Sequence, residues 1–225
     1  KAAKGSKTAY MWLLCGWGKE GPQYNEDGGL AEPPLAYFHF ADNRRHENAT
    51  EILGDYQGVL HSDCYEAYEK LAKTETNKMG LDWSPCWSHL RRYFFEATEC
   101  KLRTKALDLI DAIFANEREF NGLNEAQLLI MRKHKQIPLV DELEKLIEGN
   151  RYHRSILTSD SMSKAVNYYL CRKKHFRAFL TNSKMCIHNN AAERAIRPFT
   201  IGRKNWMFVG SKDGGHASAI LTSLI

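Results

Sequence analysis

The sequence has 225 residues, with 32 Lys and Arg against 27 Asp and Glu, giving a formal charge of +5. Hydrophobic residues make up 43% and charged residues 26% of it, ordinary globular usage that excludes a disordered or fibrous chain. No apolar run approaches the roughly 20 residues of a membrane-spanning helix, so a membrane span is not expected, and the mild positive balance permits a polyanionic partner without demanding one.

The first half reads as α/β. Ala9 to Trp17 is a short apolar, aromatic-rich run of strand length; a loop rich in Gly, Pro and acidic residues (18–34) follows, and Leu35 to Ala41 reads as a second strand, making a hairpin. Ala49, Ile52 and Leu53 put apolar groups on one face of a short helix ending at Gly54. Gly58 to Asp63 reads as a strand with Asp63 at its end, the next helix carries Tyr65, Tyr68 and Leu71, and Leu81 to Cys86 is one more strand. From about residue 87 the apolar period becomes 3.6, as in Leu90, Tyr93, Phe94 and Ala97, and then Leu107, Ile110, Ile113 and Phe114. Asn124 with Gln127 is a capping-box pattern, and Met162, Ala165, Val166, Tyr169 and Leu170 mark a further helix, so residues 101–186 form an all-helical block. A helix from Asn190, a strand-like 205–210, a turn at Asp213-Gly214-Gly215 and a last helical pattern complete the chain. The first residue is Lys and the last helical pattern stops without a cap, so the sequence reads as a piece of something longer. The six cysteines are scattered, which points to reduced, mostly buried thiols in a cytoplasmic protein.

Two acids stand out by position. Asp63 lies at the end of a predicted strand, where α/β folds place ligand-binding groups, and Glu193 lies in the first turn of the helix opened by His188-Asn189-Asn190. Helix capping is the competing reading for both: Ser62 or Asp63 with Glu66, and Asn190 with Glu193, each match a capping box. Arg194, Arg197, Arg203, Lys204 and Trp206 follow Glu193 closely. Cations neutralise phosphates and Trp stacks on an unpaired base, although a solvated positive face with Trp206 in the core is the plainer reading of this cluster taken alone. A carboxylate among cations suggests metal-assisted chemistry on a phosphodiester. Cys86 and His89, followed by Arg91 and Arg92, make a third cluster. A zinc site there would need two more ligands with suitable spacing, so a packed Cys and a hydrogen-bonded His at a strand-to-helix junction is the plainer reading. The sequence contains no Walker A loop, G-x-G-x-x-G, H-E-x-x-H or G-x-S-x-G motif.

The string Asn189-Asn190-Ala191-Ala192-Glu193-Arg194-Ala195-Ile196-Arg197-Pro198, with Gly202-Arg203-Lys204-Asn205-Trp206-Met207-Phe208 after it, resembles the C-terminal catalytic signature of the insertion-sequence-66 family of bacterial DDE transposases. His61-Ser62-Asp63-Cys64-Tyr65-Glu66-Ala67-Tyr68 is similar to that family's second-aspartate motif, where Gly more often follows the Asp, and Cys86-Trp87-Ser88-His89-Leu90-Arg91-Arg92 to its Cys-x-x-His-x-x-Arg segment. The resemblance spans essentially the whole chain. It implies an α/β fold, an RNase H-like mixed sheet flanked by helices, with an all-α insertion between the second Asp and the Glu. Residues 1–100 would be the first part of the core, 101–186 the insertion, and 187–225 the C-terminal part. Asp63 and Glu193 would be the second and third acids holding two Mg²⁺ (or Mn²⁺) ions, the first Asp belonging to a strand ahead of the segment Lys7–Trp12. Arg91, Arg92, Arg194, Arg197, Arg203, Lys204 and Trp206 would contact DNA, with Cys86, His89, Asn189 and Asn190 as a structural or accessory motif. The implied partners are element ends and target DNA, further copies of the chain and accessory proteins of the same element, in the bacterial cytoplasm and at the nucleoid when acting. An RNase H-like nuclease without strand transfer and a non-catalytic DNA-binding remnant are the rival readings.

Overall fold

The structure, a computed structural model, describes residues 8–17, 31, 33, 35–73, 80–206 and 211–224, the side chains of 73, 155 and 203–206 excepted. Strands β1 (Tyr10–Gly16) and β2 (Leu35–Ala41) form the expected antiparallel hairpin, in register from Tyr10 opposite Ala41 to Gly16 opposite Leu35. Most of the connecting loop (18–34) lies outside the described residues. β1 is a continuous apolar run because both of its faces are covered. Tyr10 and Trp12 pack with helices α1 (His46–Leu53) and α2 (Glu66–Lys73), while Met11 and Leu13 join Phe38, Phe40 and Ala219 on the other side. Gly54 ends α1 with a φ of 56°, a left-handed position that glycine takes without steric cost.

Strands β3 (Gly58–Ser62) and β4 (Leu81–Pro85) pair in parallel on either side of α2 in sequence. Leu60, Leu81 and Trp83 share a core with Leu53 and with Leu14 of β1, so the two strand pairs lean on one apolar layer. The two pairs are nevertheless separate two-stranded sheets. Among the described residues each of β1 and β3 has a strand neighbour on one edge only, and every residue of both strands lines a cavity of about 1070 Å³.

Helices then follow without interruption by strands among the described residues: α3 (Trp87–Glu96), α4 (Lys101–Glu119), α5 (Glu125–Met131), a π-helical turn (Arg132–Gln136), α6 (Ile137–Asn150), α7 (Arg154–Leu157), α8 (Asp160–Leu170), α9 (Lys173–Phe176) and a 3₁₀ turn (Ala178–Leu180). The apolar period seen in the sequence is the core. Trp87, Leu90 and Phe94 of α3 meet Ala106, Ile110 and Ile113 of α4, Val140, Leu143 and Ile147 of α6, and Met162, Ala165 and Tyr169 of α8. The capping box at α5 forms as read: Asn124 Oδ1 accepts from the Gln127 N–H at 3.0 Å and the Asn124 N–H donates to Gln127 Oε1 at 3.1 Å.

The last part of the chain departs from the sequence reading. Helix α10 (Asn190–Ala195) is where expected, but α11 runs from Arg197 to Trp206, so Asn205 and Trp206, read as the start of a strand, are helical; 207–210 lie outside the described residues. The turn read at Asp213-Gly214-Gly215 is the first turn of α12 (Lys212–Ser223), capped by Ser211, whose hydroxyl accepts the Gly214 N–H at 3.0 Å. Gly215 sits inside this helix because the helix presses on β2. A Cβ built at Gly215 would meet the Phe40 ring at 2.4 Å.

Candidate functional site

Asp63 follows directly on β3. Its Oδ1 accepts the N–H of Tyr65 at 3.2 Å, an Asx-type bond that fixes the turn into α2. The capping box offered as the alternative does not form. Glu66 pairs with Lys70 at 2.9 Å, and the Ser62 hydroxyl accepts from Trp83 Nε1 at 2.9 Å and donates to the Asp63 carbonyl at 2.7 Å. At the other acid the capping reading also fails. The residue that caps α10 is Asn189, without a side-chain bond, and Asn190 is already helical, its Oδ1 taking the Ser88 hydroxyl at 3.3 Å. Glu193 is thereby free to project from the first turn of α10. Asp63 and Glu193, 130 residues apart in sequence, line the same cavity, together with Arg44, Lys184, His188 and Asn189.

The N-terminal turn of α3 reaches the backbone before Asp63 and the side chain of Glu193. The Cys86 N–H donates to the Ser62 carbonyl at 3.0 Å and the Trp87 N–H to the Ile187 carbonyl at 2.8 Å. His89 Nε2 stands 3.7 Å from Glu193 Oε1. The Cys86 sulfur is fully buried against the backbone N–H groups of Asn189, His89 and Ser88; burial pushes the thiol pKa up, and those N–H groups oppose the rise.

Two histidines at this site escaped the sequence reading. His61 projects from β3 with neither ring nitrogen hydrogen-bonded among the described residues; burial first, then the charges of His188 and Arg132, lower its pKa to about 3. His188 stacks on Phe114, with ring centroids 6.1 Å apart and planes 12° apart, and burial lowers its pKa as well. His61 and His188 are neutral near pH 7 and present lone pairs and N–H groups, not charge.

Arg132 was missed too. It is 1% exposed, and all five of its N–H bonds are used: Nε and Nη2 bind Glu117 at 3.1 and 2.7 Å, Nη1 binds the carbonyls of Phe179 and Asn182 at 2.8 and 3.0 Å, and Nη2 binds that of Met185 at 2.9 Å. The π-helical turn places Gln136 beside it, where Nε2 donates to the Ile113 carbonyl and to Glu117 Oε1. Arg132, Gln136, Val140, Leu143 and Ile147 form one buried stripe, so a legible signal was two polar residues in phase with an apolar face.

The other expected contact residues lie on α3, α10 and α11. Arg197 is exposed at the start of α11 and Arg194 is half-buried in α10. The side chains of Arg203, Lys204 and Trp206 lie outside the described residues. Arg92 is exposed, whereas Arg91 binds Asp111 through two bonds of 2.6 and 3.0 Å. Among the described residues no three His, Cys, Asp or Glu side chains are gathered closely enough to hold a metal ion, and no described helix is long and apolar enough to cross a membrane.

A family model described as "Transposase IS66 family" matches residues 1–217. The uncharacterized protein y4hP of Sinorhizobium fredii is 34% identical over 213 residues, covering 88% of this chain and 38% of that protein. The uncharacterized protein y4qI of the same organism is 32% identical over 226 residues, covering 97% of this chain and 40% of that protein. The chain thus spans about two-fifths of the length of the curated relatives it matches. No solved structure matches it.

Proposed function

The chain belongs to the IS66 transposase family, and from that premise we propose that it forms the greater part of a DDE-type catalytic domain, which hydrolyses phosphodiesters at the ends of insertion-sequence DNA and transfers the freed 3′ ends to a target. The observation that carries this reading is that Asp63, placed by a strand end, and Glu193, placed by a helix, face one cavity.

The edges of β1 and β3 that carry no strand neighbour among the described residues support the RNase H-like part of it. Residues from both faces of each strand line the cavity, as happens when an edge is turned towards a space. A strand seated there would join the two pairs into one mixed sheet in the order β2, β1, added strand, β3, β4. The family resemblance places the first aspartate on such a strand. Residues 101–186 are then the helical insertion between the second and third acids.

Carboxylate oxygens suit Mg²⁺ or Mn²⁺, and Asp63 and Glu193 are the residues of this chain that would hold such ions. Two bound ions supply Lewis-acid stabilisation of the attacked phosphate and its leaving oxygen. Asp82 lines the same cavity, but among the described residues no three such side chains are gathered closely enough to hold an ion, so no step is derived through the metal from this chain alone. The protein's own cations do the binding. Arg194, Arg197, Arg203 and Lys204 belong to α10, which carries the acid, and to α11 after it, and contacts from them to the DNA backbone position the substrate in a salt-dependent, largely sequence-independent way. Trp206 would stack on an unpaired base, Arg92 would add a phosphate contact, and Arg91 would first have to leave Asp111. Assembly of several copies on paired element ends, with accessory proteins of the same element and in the bacterial cytoplasm, is part of the same proposal.

The test is cleavage of element-end DNA by the full-length protein. Glu193→Ala abolishes Mg²⁺-dependent cleavage on this reading, and retained cleavage removes Glu193 from the site. Nicked product without joined product favours a plain nuclease. Binding with no cutting in Mg²⁺ or Mn²⁺ favours a DNA-binding remnant.

A further inference from the structure

The Cys86–His89 turn is absorbed by neither a metal site nor the DNA contacts. Its two consecutive amides diverge. That of Cys86 holds the Ser62 carbonyl, one residue before Asp63, and that of Trp87 holds the Ile187 carbonyl, in the segment that leads into Glu193. The Trp87 N–H is one of the donors that a helix leaves unused at its N-terminus, so this grip takes nothing from α3. Three side chains of the same turn then follow the second segment residue by residue: the Cys86 sulfur lies against the Asn189 N–H, the Ser88 hydroxyl donates to Asn190 Oδ1, and His89 Nε2 faces Glu193 Oε1. Beneath them Trp87 and Leu90 are fully buried in the helical core, so the turn stands on a rigid base.

We infer that the Cys86–His89 turn is a positioning device that fixes the spacing between Asp63 and Glu193, by joining the backbone beside one acid to the backbone before the other and by holding the Glu193 helix through Cys86, Ser88 and His89. These are positioning residues. They act through the two acids and, on the proposed function, on which this inference rests, they touch no reacting atom.

Hydrogen–deuterium exchange read by mass spectrometry on this chain, with neither metal nor DNA, tests the geometry. Cys86→Ala is expected to speed exchange in peptides covering 186–195 about tenfold, with α4 and α6 at wild-type protection and the thermal midpoint unchanged. Cys86→Ser, which keeps an acceptor of similar size, is expected to restore protection to within threefold. Exchange in 186–195 within twofold of wild type for Cys86→Ala, or loosening of α4 and α6 to the same degree, overturns the inference. In the full-length protein His89→Ala is expected to lower the cleavage rate at saturating DNA about tenfold and His89→Gln to recover it within threefold, at equal DNA affinity; no recovery by Gln overturns the role of His89. A wild-type protein that never cleaves would defeat the catalytic reading and leave the exchange result standing, so the two failures are distinguishable.

Discussion

Replacing Arg132 by methionine removes a buried charge and keeps most of the side-chain volume, so the loss measures the ion pair and not a cavity. Arg132 is 1% and the Glu117 side chain 11% exposed. Removing one partner of a buried pair costs about 3–5 kcal/mol, because the other charge stays behind unpaired. Here Gln136 Nε2 still donates to Glu117 Oε1 at 2.9 Å, which softens the loss, while the carbonyls of Phe179, Asn182 and Met185 lose their donor. The expected destabilisation is therefore about 3–4 kcal/mol. Urea unfolding followed by circular dichroism at pH 7 measures it, with the slope of free energy on denaturant unchanged. Glu117→Gln on the Arg132→Met background removes the stranded charge and should return about 1–2 kcal/mol. A loss below about 1 kcal/mol for the single variant, or a double variant no more stable than it, would refute the claim that this pair is a buried electrostatic anchor.

Gly215→Ala should destabilise by about 1–2 kcal/mol, because overpacking against the buried Phe40 ring outweighs the gain of about 1 kcal/mol that alanine brings to a helix. Gly149→Ala in α6 meets nothing within 4 Å and should stabilise by about 0.5–1 kcal/mol, so equal signs for the two in thermal melts would defeat the packing argument. His61 stays neutral in the fold down to about pH 3 but titrates near 6.5 when unfolded, so the unfolded chain binds the extra proton between these values. Stability is full above pH 6.5 and falls as the pH drops, by about 1.4 kcal/mol at pH 5.5 from this residue. His61→Leu should flatten the slope of stability between pH 7 and 5 by about one proton, and an unchanged slope would show that His61 is not buried neutral.

The parts of the fold that were legible are those where one periodicity holds. β1, β2, β3 and β4, the short helix before Gly54 and the helices of the 101–186 block all carry a period of 2 or 3.6, or an apolar run bounded by turn residues, and all form. What misled was composition without period. Asn205 and Trp206 precede an aromatic, β-prone stretch, yet they continue a helix begun at Arg197. Of the two glycines read as a turn, Gly215 is there because α12 approaches Phe40 too closely for a side chain. At the site, Asp63 and Glu193 were visible as acids, and the capping boxes that competed for them were patterns whose partners Lys70 and Ser88 take instead. The contact of His89 with Glu193 and the Arg132 anchor join residues 104 and up to 53 positions apart. Such pairings depend on the packing of α3, α4 and the π-helical turn, which no local pattern encodes.

The bond from Trp87 to the Ile187 carbonyl also explains how a long helical stretch can lie between two acids that line one cavity. The chain leaves the turn at α3 and returns beside it at residue 187, so residues 88–186 are a closed excursion whose ends are tied at 2.8 Å. Lengthening such an excursion at a surface turn costs only loop-closure entropy, which grows with the logarithm of length. The turn after α4 is the place to try it. Gly122 is exposed with a φ of 82°, and no atom lies within 4 Å of a Cβ built there. Eight Gly and Ser residues inserted after Gly122 should cost about 1 kcal/mol, the entropy of lengthening a five-residue turn to thirteen, and should leave exchange in 186–195 at the wild-type rate. If instead that segment loosens while the turn itself stays the only altered surface, the position of Glu193 depends on the whole helical stack and not on the point where the excursion closes.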